Sequence, residues 1–339
     1  MSIIPKKSIT LDVVVIGRNE AEQLESSLNS AIEASKYFQK TGYPYPKIVY
    51  IDGQSSDKSV KIAENLGIKV LIVSGMPTPA KGRHLGFTIG ESIYVFFLDG
   101  DTIVDKKWLV KGVEYLEKYS KTAGVGGILD WEGWRNGKIV YRKANYRNTY
   151  YDGQNVVDGV GGTFLYRRDI LNRIGDFNPE LPISEELELR LRIDQAGYKL
   201  VRIAIPMATH RDTKTSITTF LQKKIFTKNI FIPGVITRQA PKSQSILKLL
   251  FFKYWVYLFH PLIILYILLS ILFYIHTLSK IWIILGIILA IVLFIAHYFY
   301  KGKNFRRAIF SVITMNFFSF GWIIGLLLNR PKVCRFYKV

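Results

Sequence analysis

Three long apolar runs near the C-terminus restrict the fold of this chain more than any other feature. They cover residues 254–275, 281–299 and 308–328, and each is close to the roughly 20 residues that a helix needs to cross a bilayer. Residues 213–339 contain no Asp or Glu. We therefore expect residues 254–339 to form a membrane anchor of transmembrane helices that ends in a short basic tail.

The position of the positive charge argues against a nucleic-acid partner. The net charge is +20, but the excess lies beside the apolar runs, where lysine and arginine contact anionic lipids and set topology. Residues 213–253 mix lysine with phenylalanine, as helices in the headgroup layer do. No basic and aromatic motif of a nucleic-acid reader is present. We expect a lipid bilayer as partner, an amphipathic interfacial segment at 213–253, and no nucleic acid.

The N-terminal part of the chain predicts a cytoplasmic domain. Its first apolar stretch, residues 11–16, is shorter than the hydrophobic region of a signal peptide. The single cysteine, Cys334, excludes a disulfide scaffold and is typical of a reducing compartment. We expect a multi-pass protein of the cell membrane with residues 1–212 in the cytoplasm. Three crossings would leave the basic tail outside, against the positive-inside tendency, so whether 308–328 crosses is left open.

Short β-branched and aromatic runs alternate with helix-length segments in residues 1–212. The runs are 11–16, 47–51, 68–73 and 93–98, and they predict buried strands. This alternation indicates an α/β domain with a Rossmann-like, mostly parallel sheet. Such sheets bind ligands beyond the carboxyl ends of their strands.

Three of the predicted strands end in polar clusters, at residues 17–20, 52–57 and 99–101. Helix capping by Asn19 and Asp57 would explain part of this pattern, but it leaves Asp99 and Asp101 unexplained. Two carboxylates so close together repel each other unless a cation sits beside them. Oxygen ligands favour Mg²⁺ or Mn²⁺, and Mg²⁺ usually completes its shell with water and substrate phosphates. The cluster therefore predicts a divalent metal and a substrate with a diphosphate.

Two common nucleotide-binding motifs are missing. No GxxxxGK[ST] loop occurs, and residues 159–162 lack the spacing of a dinucleotide fingerprint. A metal-bridged nucleotide sugar remains as the substrate.

Four motifs in the same order resemble family 2 glycosyltransferases with the GT-A fold. They are residues 16–20, 52–59, 99–101 and 161–200, and the resemblance covers about residues 10–212. It implies a GT-A catalytic domain that transfers a sugar, with inversion, from a nucleoside-diphosphate sugar donor.

The resemblance also implies roles for individual residues. Substrate-binding residues would be Arg18, Glu20 and Asp52 at the nucleoside, Arg83 at the diphosphate, Asp99 at the ribose or metal, Gly161 and Gly162 in the acceptor-side loop, and Glu185. Asp101 would bind the metal directly and take part in catalysis, and His210 would complete the metal or diphosphate contacts. Glu186 would be the catalytic base.

Two positions depart from the family pattern. Glu185-Glu186 stands where Glu-Asp is common, and Gln54 replaces a glycine of the nucleoside loop, which predicts a change in how that loop turns. Ser184 as a cap predicts a helix over 185–193, and so does the i to i+4 spacing of Glu186 with Arg190 and of Glu188 with Arg192. Without the resemblance, Glu186 would be only half of a surface ion pair.

The reading that we favour is single sugar addition to a hydroxyl of a membrane-linked acceptor, a lipid-linked glycan or exopolysaccharide precursor. A polyprenyl phosphate acceptor and an inactive membrane adaptor with this domain stay open. A sugar-phosphate nucleotidyltransferase would need a glycine-rich, lysine-containing loop that residues 11–22 lack.

Overall fold

The computed structural model describes ten stretches of the chain: residues 5–135, 138–143, 154–156, 162–213, 231–240, 247, 265–266, 268–276, 280–300 and 318–328. The chain divides into two compact units, Met1–Leu221 with Val333–Val339, and Gln222–Lys332. The finer division at residues 212 and 253 stays a prediction.

Strands and helices alternate up to residue 99, as predicted, and several strands then follow one another directly. The strands are β1 (Leu11–Gly17), β2 (Lys47–Asp52), β3 (Lys69–Ile72), β4 (Tyr94–Asp99), β5 (Thr102–Val104), β6 (Thr122–Arg135), β7 (Lys138–Lys143), β8 (Gln154–Val156), β9 (Phe164–Arg167) and β10 (Lys199–Thr213). The helices are α1 (Leu24–Lys40), α2 (Ser59–Asn65), α3 (Pro79–Thr88), α4 (Trp108–Lys118), α5 (Arg168–Ile174) and α6 (Glu185–Gln195). The four predicted strands are confirmed as β1 to β4.

The sheet is mixed, so the prediction of a mostly parallel sheet was wrong. Its main path is β3-β2-β1-β4-β9-β6-β10-β5. The first four strands on this path are parallel, as are β6 and β10. Antiparallel pairing joins β9 to β4 and β6, and also joins β5 and β8 to β10 and β7 to β6. Chain connectivity explains the pairing of β7 with β6. The connection between these two strands is too short for a crossover, so they must form an antiparallel hairpin.

Strand β1 is buried on both faces because helices cover both sides of the sheet. Val13 and Val15 belong to one core with α1 and α4, whereas Val14 and Ile16 belong to the other with α3 and α6. This alternation explains the continuous apolar run in the sequence. It also brings the carboxyl ends of the parallel strands β1, β2 and β4 to one edge of the sheet.

The second unit contains helices that pack through small and aromatic residues. In helix Ile232–Gln239 a Cβ added to Gly234 would lie 2.0 Å from the carbonyl oxygen of Trp322, and Trp322 donates a hydrogen bond to Thr237 (3.2 Å). Residues 268–276 are helical. The ring of Phe273 in this stretch stacks on the ring of Trp282 in helix Lys280–Tyr300, with centroids 5.1 Å apart.

Much of the predicted anchor lies outside the described residues. This holds for most of 213–253 and 254–275, for part of 308–328, and for Cys334. In helix Lys280–Tyr300 the described side chains are those of 281–288, 291, 292 and 295. Over the residues that the structure describes, no helix qualifies as long and apolar enough to span a membrane.

The contact between α3 and β1 yields a prediction about stability. A Cβ added to Gly86 would lie 2.2 Å from Cγ1 of Val14. We predict that Gly86→Ala lowers the free energy of unfolding by about 1–3 kcal/mol, as overpacked cores do. Gly82→Ala on the same helix is the matched control, since its Cβ would meet Ile16 at 3.6 Å. Urea unfolding compares the two, and equal stability of both variants would contradict the steric argument.

Candidate active site

A cavity of about 490 Å³ lies at the carboxyl ends of β1, β2 and β4. Most of the predicted site residues line it: Arg18, Glu20, Arg83, Asp99, Asp101, Glu185, Glu186 and His210. The backbone of Gly162 packs against the Asp99 carboxylate. Gly161 is outside the described residues. The structure therefore brings together side chains that are spread over most of the first unit.

Hydrogen bonds between the loops after β1 and β2 fix the side of the cavity that carries Arg18 and Glu20. Asn19, with φ +56°, accepts from the backbone of Ser56 (2.8 Å). In return, Ser59 accepts from the backbone of Glu20 (3.0 Å). Asn19, which could have been a simple helix cap, instead joins the two loops across the sheet edge.

Asp52 organises the second of these loops. It is 1% exposed and accepts hydrogen bonds from the Tyr50 hydroxyl (3.0 Å) and from the backbone (2.7 Å) and hydroxyl (2.6 Å) of Ser55. Both carboxylate oxygens are therefore engaged within the loop. Its predicted contact with a nucleoside stays a prediction.

Gln54 keeps the turn that a glycine would make. Its φ is +61°, a conformation that costs a non-glycine residue roughly 1 kcal/mol. Its side-chain amide donates to the carbonyl oxygens of Val73 (2.9 Å) and Gly75 (2.5 Å). The substitution thus leaves the left-handed turn in place and ties it to the segment that leads to α3.

That segment supplies an apolar wall that the sequence reasoning missed. Val73, Pro77 and Pro79 line the cavity. Thr78 caps α3 by accepting from the backbone of Lys81 (3.2 Å), and Pro79 is the first helical residue. Thr-Pro is a recognisable helix-start signal, and it could have placed this wall at the end of β3.

Negative charge accumulates in the cavity around Glu20, Asp99 and Asp101. Burial raises the pKa of Glu20 to about 8, and the charges of Asp101 and Asp99 add to the rise. Burial also raises the pKa of Asp99, although Arg83 acts in the opposite direction. A buried carboxylate such as Glu20, whose pKa is raised further by two neighbouring carboxylates, indicates a place where a cation is favourable.

His210 lies beside Asp101. The Nδ1 atom of His210 is 3.1 Å from Oδ1 of Asp101. Burial would lower the pKa of His210, but the hydrogen bond and charge of Asp101 raise it overall. The ring of Trp131 packs against the imidazole with centroids 4.1 Å apart, a contact that no sequence motif indicated.

The donor atoms of this pair are those that a divalent cation prefers. Asp101 offers carboxylate oxygens and His210 an imidazole nitrogen, which suits Mg²⁺ or Mn²⁺ when substrate oxygens complete the shell. Among the residues that the structure describes, no group of three or more His, Cys, Asp or Glu side chains is arranged to hold a metal by itself. The fit therefore requires ligands from the substrate.

Helix α6 begins at Glu185, so the predicted helix is confirmed, but its predicted cap is wrong. Ser184 has φ +63°, in the left-handed region, and makes no side-chain capping hydrogen bond. The predicted pair of Glu188 with Arg192 is confirmed at 2.8 Å, and it is buried. Glu186 faces the cavity with its side chain 27% exposed.

Arg83 connects the start of α6 with the end of β4. Its Nη1 donates to Glu185 (2.6 Å) and its Nη2 to Asp99 (2.9 Å), while Nη2 lies 3.7 Å from Glu186. The backbone of Gly162 packs against this group, because an added Cβ would lie 2.1 Å from Asp99 and 2.3 Å from Arg83. Only glycine fits at this position without displacing the ion pair.

Comparison with known proteins finds one family and several relatives. Residues 12–175 match the family model described as Glycosyl transferase family 2. Glycosyltransferase AglE of Haloferax volcanii is 24% identical over 199 residues, which are 56% of this chain and 63% of AglE. The O-antigen chain rhamnosyltransferase WbaN of Salmonella anatum is 25% identical over 194 residues, 52% of this chain and 60% of WbaN. The chain thus spans less than two thirds of the length of either relative.

Solved structures share the fold. S. aureus TarS 1-349 in complex with UDP-GlcNAc matches with a TM-score of 0.52 at 16% identity, over 71% of this chain and 70% of that chain. GalNAc-T7 with UDP, GalNAc and Mn²⁺ matches with a TM-score of 0.50 at 16% identity, over 67% and 51%. The fold is therefore a GT-A-like α/β fold with a mixed sheet.

Proposed function

We propose, from the match of residues 12–175 to the family model described as Glycosyl transferase family 2, that the chain transfers a sugar, with inversion, from a nucleoside-diphosphate sugar to a hydroxyl of a membrane-linked glycan. The observation that carries the proposal is the cavity that Asp101, His210 and Glu186 line together. It offers one place for a charged leaving group and another for an acceptor.

The donor would bind with its base against the apolar wall. Val73, Pro77 and Pro79 are on that side of the cavity, next to the loop of Gly53. TarS, which shares the fold, was solved with UDP-GlcNAc, and this supports a nucleotide sugar as the ligand class.

Asp101 and His210, with Asp99 beside them, would hold a Mg²⁺ or Mn²⁺ ion. The ion would neutralise charge that develops on the leaving diphosphate. GalNAc-T7 was solved with Mn²⁺, which supports the class of ion.

Glu186 would remove the acceptor proton. A sugar hydroxyl has a pKa far above 7 and therefore needs a base. The acceptor oxygen attacks the anomeric carbon from the side opposite the diphosphate, and the bond from that carbon to the diphosphate breaks. One displacement inverts the configuration and needs no covalent enzyme intermediate.

The donor assignment is tested by thermal shift with UDP, GDP and dTDP sugars in Mn²⁺. Binding to the folded state at 100 times Kd stabilises it by about 2.7 kcal/mol, so one donor class should raise the Tm of the wild type. Asp101→Asn should abolish most of that shift and also turnover, because the metal loses a charged ligand. Asp169→Asn, at an exposed site on α5, is the control. An unchanged shift in Asp101→Asn would reject the metal assignment.

The base assignment separates the two acceptor classes. Glu186→Gln should lower kcat by at least about 10²-fold with little change in donor affinity, since a general base contributes about 10²–10⁴-fold. Glu180→Gln, an exposed residue outside the cavity, is the matched control. Near-normal kcat in Glu186→Gln would favour a polyprenyl phosphate acceptor, which is already ionised. Folded, donor-binding wild type without turnover would favour the inactive adaptor.

We also propose that the second unit anchors the enzyme in the cell membrane with the catalytic domain in the cytoplasm. Support comes from exposed apolar side chains on helix Lys280–Tyr300, among them Ile281 (57%), Ile288 (51%) and Val292 (55%). Labelling of Cys334 in intact cells by an impermeant thiol reagent would support three crossings. Labelling only after permeabilisation would reject three crossings, and recovery of the protein in the soluble fraction would reject the anchor.

A further inference from the structure

We infer that Arg83 is a positioning residue that sets the place of Glu186 relative to Asp99, and that it is not a ligand of the donor diphosphate. The inference rests on the proposed function, because it assigns Glu186 its role as base. It replaces the role that the sequence resemblance implied for Arg83.

Arg83 is nearly buried, and both of its terminal nitrogens already donate to carboxylates within the protein. The residue is 3% exposed, and its two terminal nitrogens donate to Glu185 and Asp99 at 2.6 and 2.9 Å. Its Nε is buried and has no hydrogen-bond partner among the described residues. The residue offers a diphosphate oxygen almost no exposed surface. An oxygen that replaced Glu185 would leave that carboxylate, whose side chain is 7% exposed, without its counter-charge.

Arg83 joins two elements that are far apart in the chain. Asp99 ends β4, and Glu185 begins α6, 102 residues beyond Arg83 in the chain. The guanidinium neutralises both carboxylates, which would otherwise repel each other across the cavity wall. One side chain therefore fixes the start of α6 relative to the end of the strand that carries the Asp99 cluster.

The position of Glu186 follows from this arrangement. Its Oε1 lies 3.7 Å from Nη2 of Arg83, which is beyond hydrogen-bond distance. Glu185 anchors the helix start, so the next residue presents its carboxylate to the cavity. Arg83 thus holds the base in place through Glu185 and attracts it electrostatically.

The surroundings are built for the planar fork of an arginine. The ring of Phe177 lies 5.5 Å from Cζ of Arg83, and the backbone of Gly162 closes the other approach to Nη2. A lysine carries a single nitrogen and cannot donate to both Glu185 and Asp99 with the same geometry. Lysine keeps the charge and loses the fork, which makes it the discriminating substitution.

The first experiment compares Arg83→Lys and Arg83→Gln by release of nucleoside diphosphate in Mn²⁺, with water as acceptor. The probe is the nucleotide sugar that gives the wild type its largest thermal shift. We expect kcat to fall by at least about 10²-fold in both variants, with donor KM and thermal shift within about threefold of wild type. Arg173→Lys, at a side chain 67% exposed, controls for loss of an arginine.

A diphosphate ligand would give the opposite pattern. Donor KM would rise and the thermal shift would shrink, and Arg83→Lys would retain more donor affinity than Arg83→Gln because a lysine still pairs with phosphate. That result would overturn the inference. A wild type whose Tm responds to no nucleotide sugar would reject the proposed function and this inference with it.

Glu185→Gln tests the same link from the other side, and it carries the test if Arg83 variants do not fold. We expect it to lower kcat at unchanged donor KM. The double variant Arg83→Lys with Glu185→Gln should be little worse than either single variant, because residues that act as a unit are non-additive. Fully additive losses in kcat, or loss of donor affinity in Glu185→Gln, would contradict the inference.

Discussion

The rest of the cavity depends on the attraction between the Arg83 guanidinium and the carboxylates around it. Carboxylates of Asp99, Glu185 and Glu186 all lie within 3.7 Å of its terminal nitrogens. Burial would lower the pKa of Arg83, but these three charges raise it overall, so the side chain stays protonated. Without it, the strand end and the start of α6 would carry mutually repelling, partly desolvated charges.

Two further buried arginines hold the scaffold behind the cavity. Arg168 pairs with Asp12 (2.8 Å) and donates to the carbonyl oxygens of Phe87 and Ser92, so it ties together β1, the end of α3 and the segment that leads to β4. Arg192 pairs with Glu188 and donates to the carbonyl oxygen of Asp176. In both, extensive hydrogen bonding offsets the cost of burying charge, and the elements that carry site residues keep their relative positions.

The sequence predicted much of the carboxylate cluster in the cavity, because the residue types at the strand ends are visible in the sequence itself. Asp99 and Asp101 directly follow an apolar strand, and the parallel strands place them beside Glu20. The loop after β2 was harder to predict. Gln54 takes a left-handed conformation that composition does not reveal, and Asp52 is occupied by Tyr50 and Ser55, a contact that depends on how the loop closes.

What the sequence by itself determined was the alternation of apolar strands and amphipathic helices, since burial on both faces of β1 leaves a direct imprint on residue order. It also determined which polar residues stand at the strand ends. Only the tertiary structure decided that the sheet is mixed, that Trp131 packs on His210, and that Arg83 is held between Glu185 and Asp99. The physical reason is that these contacts join residues far apart in the chain, and local patterns carry no information about which distant charges and rings will meet.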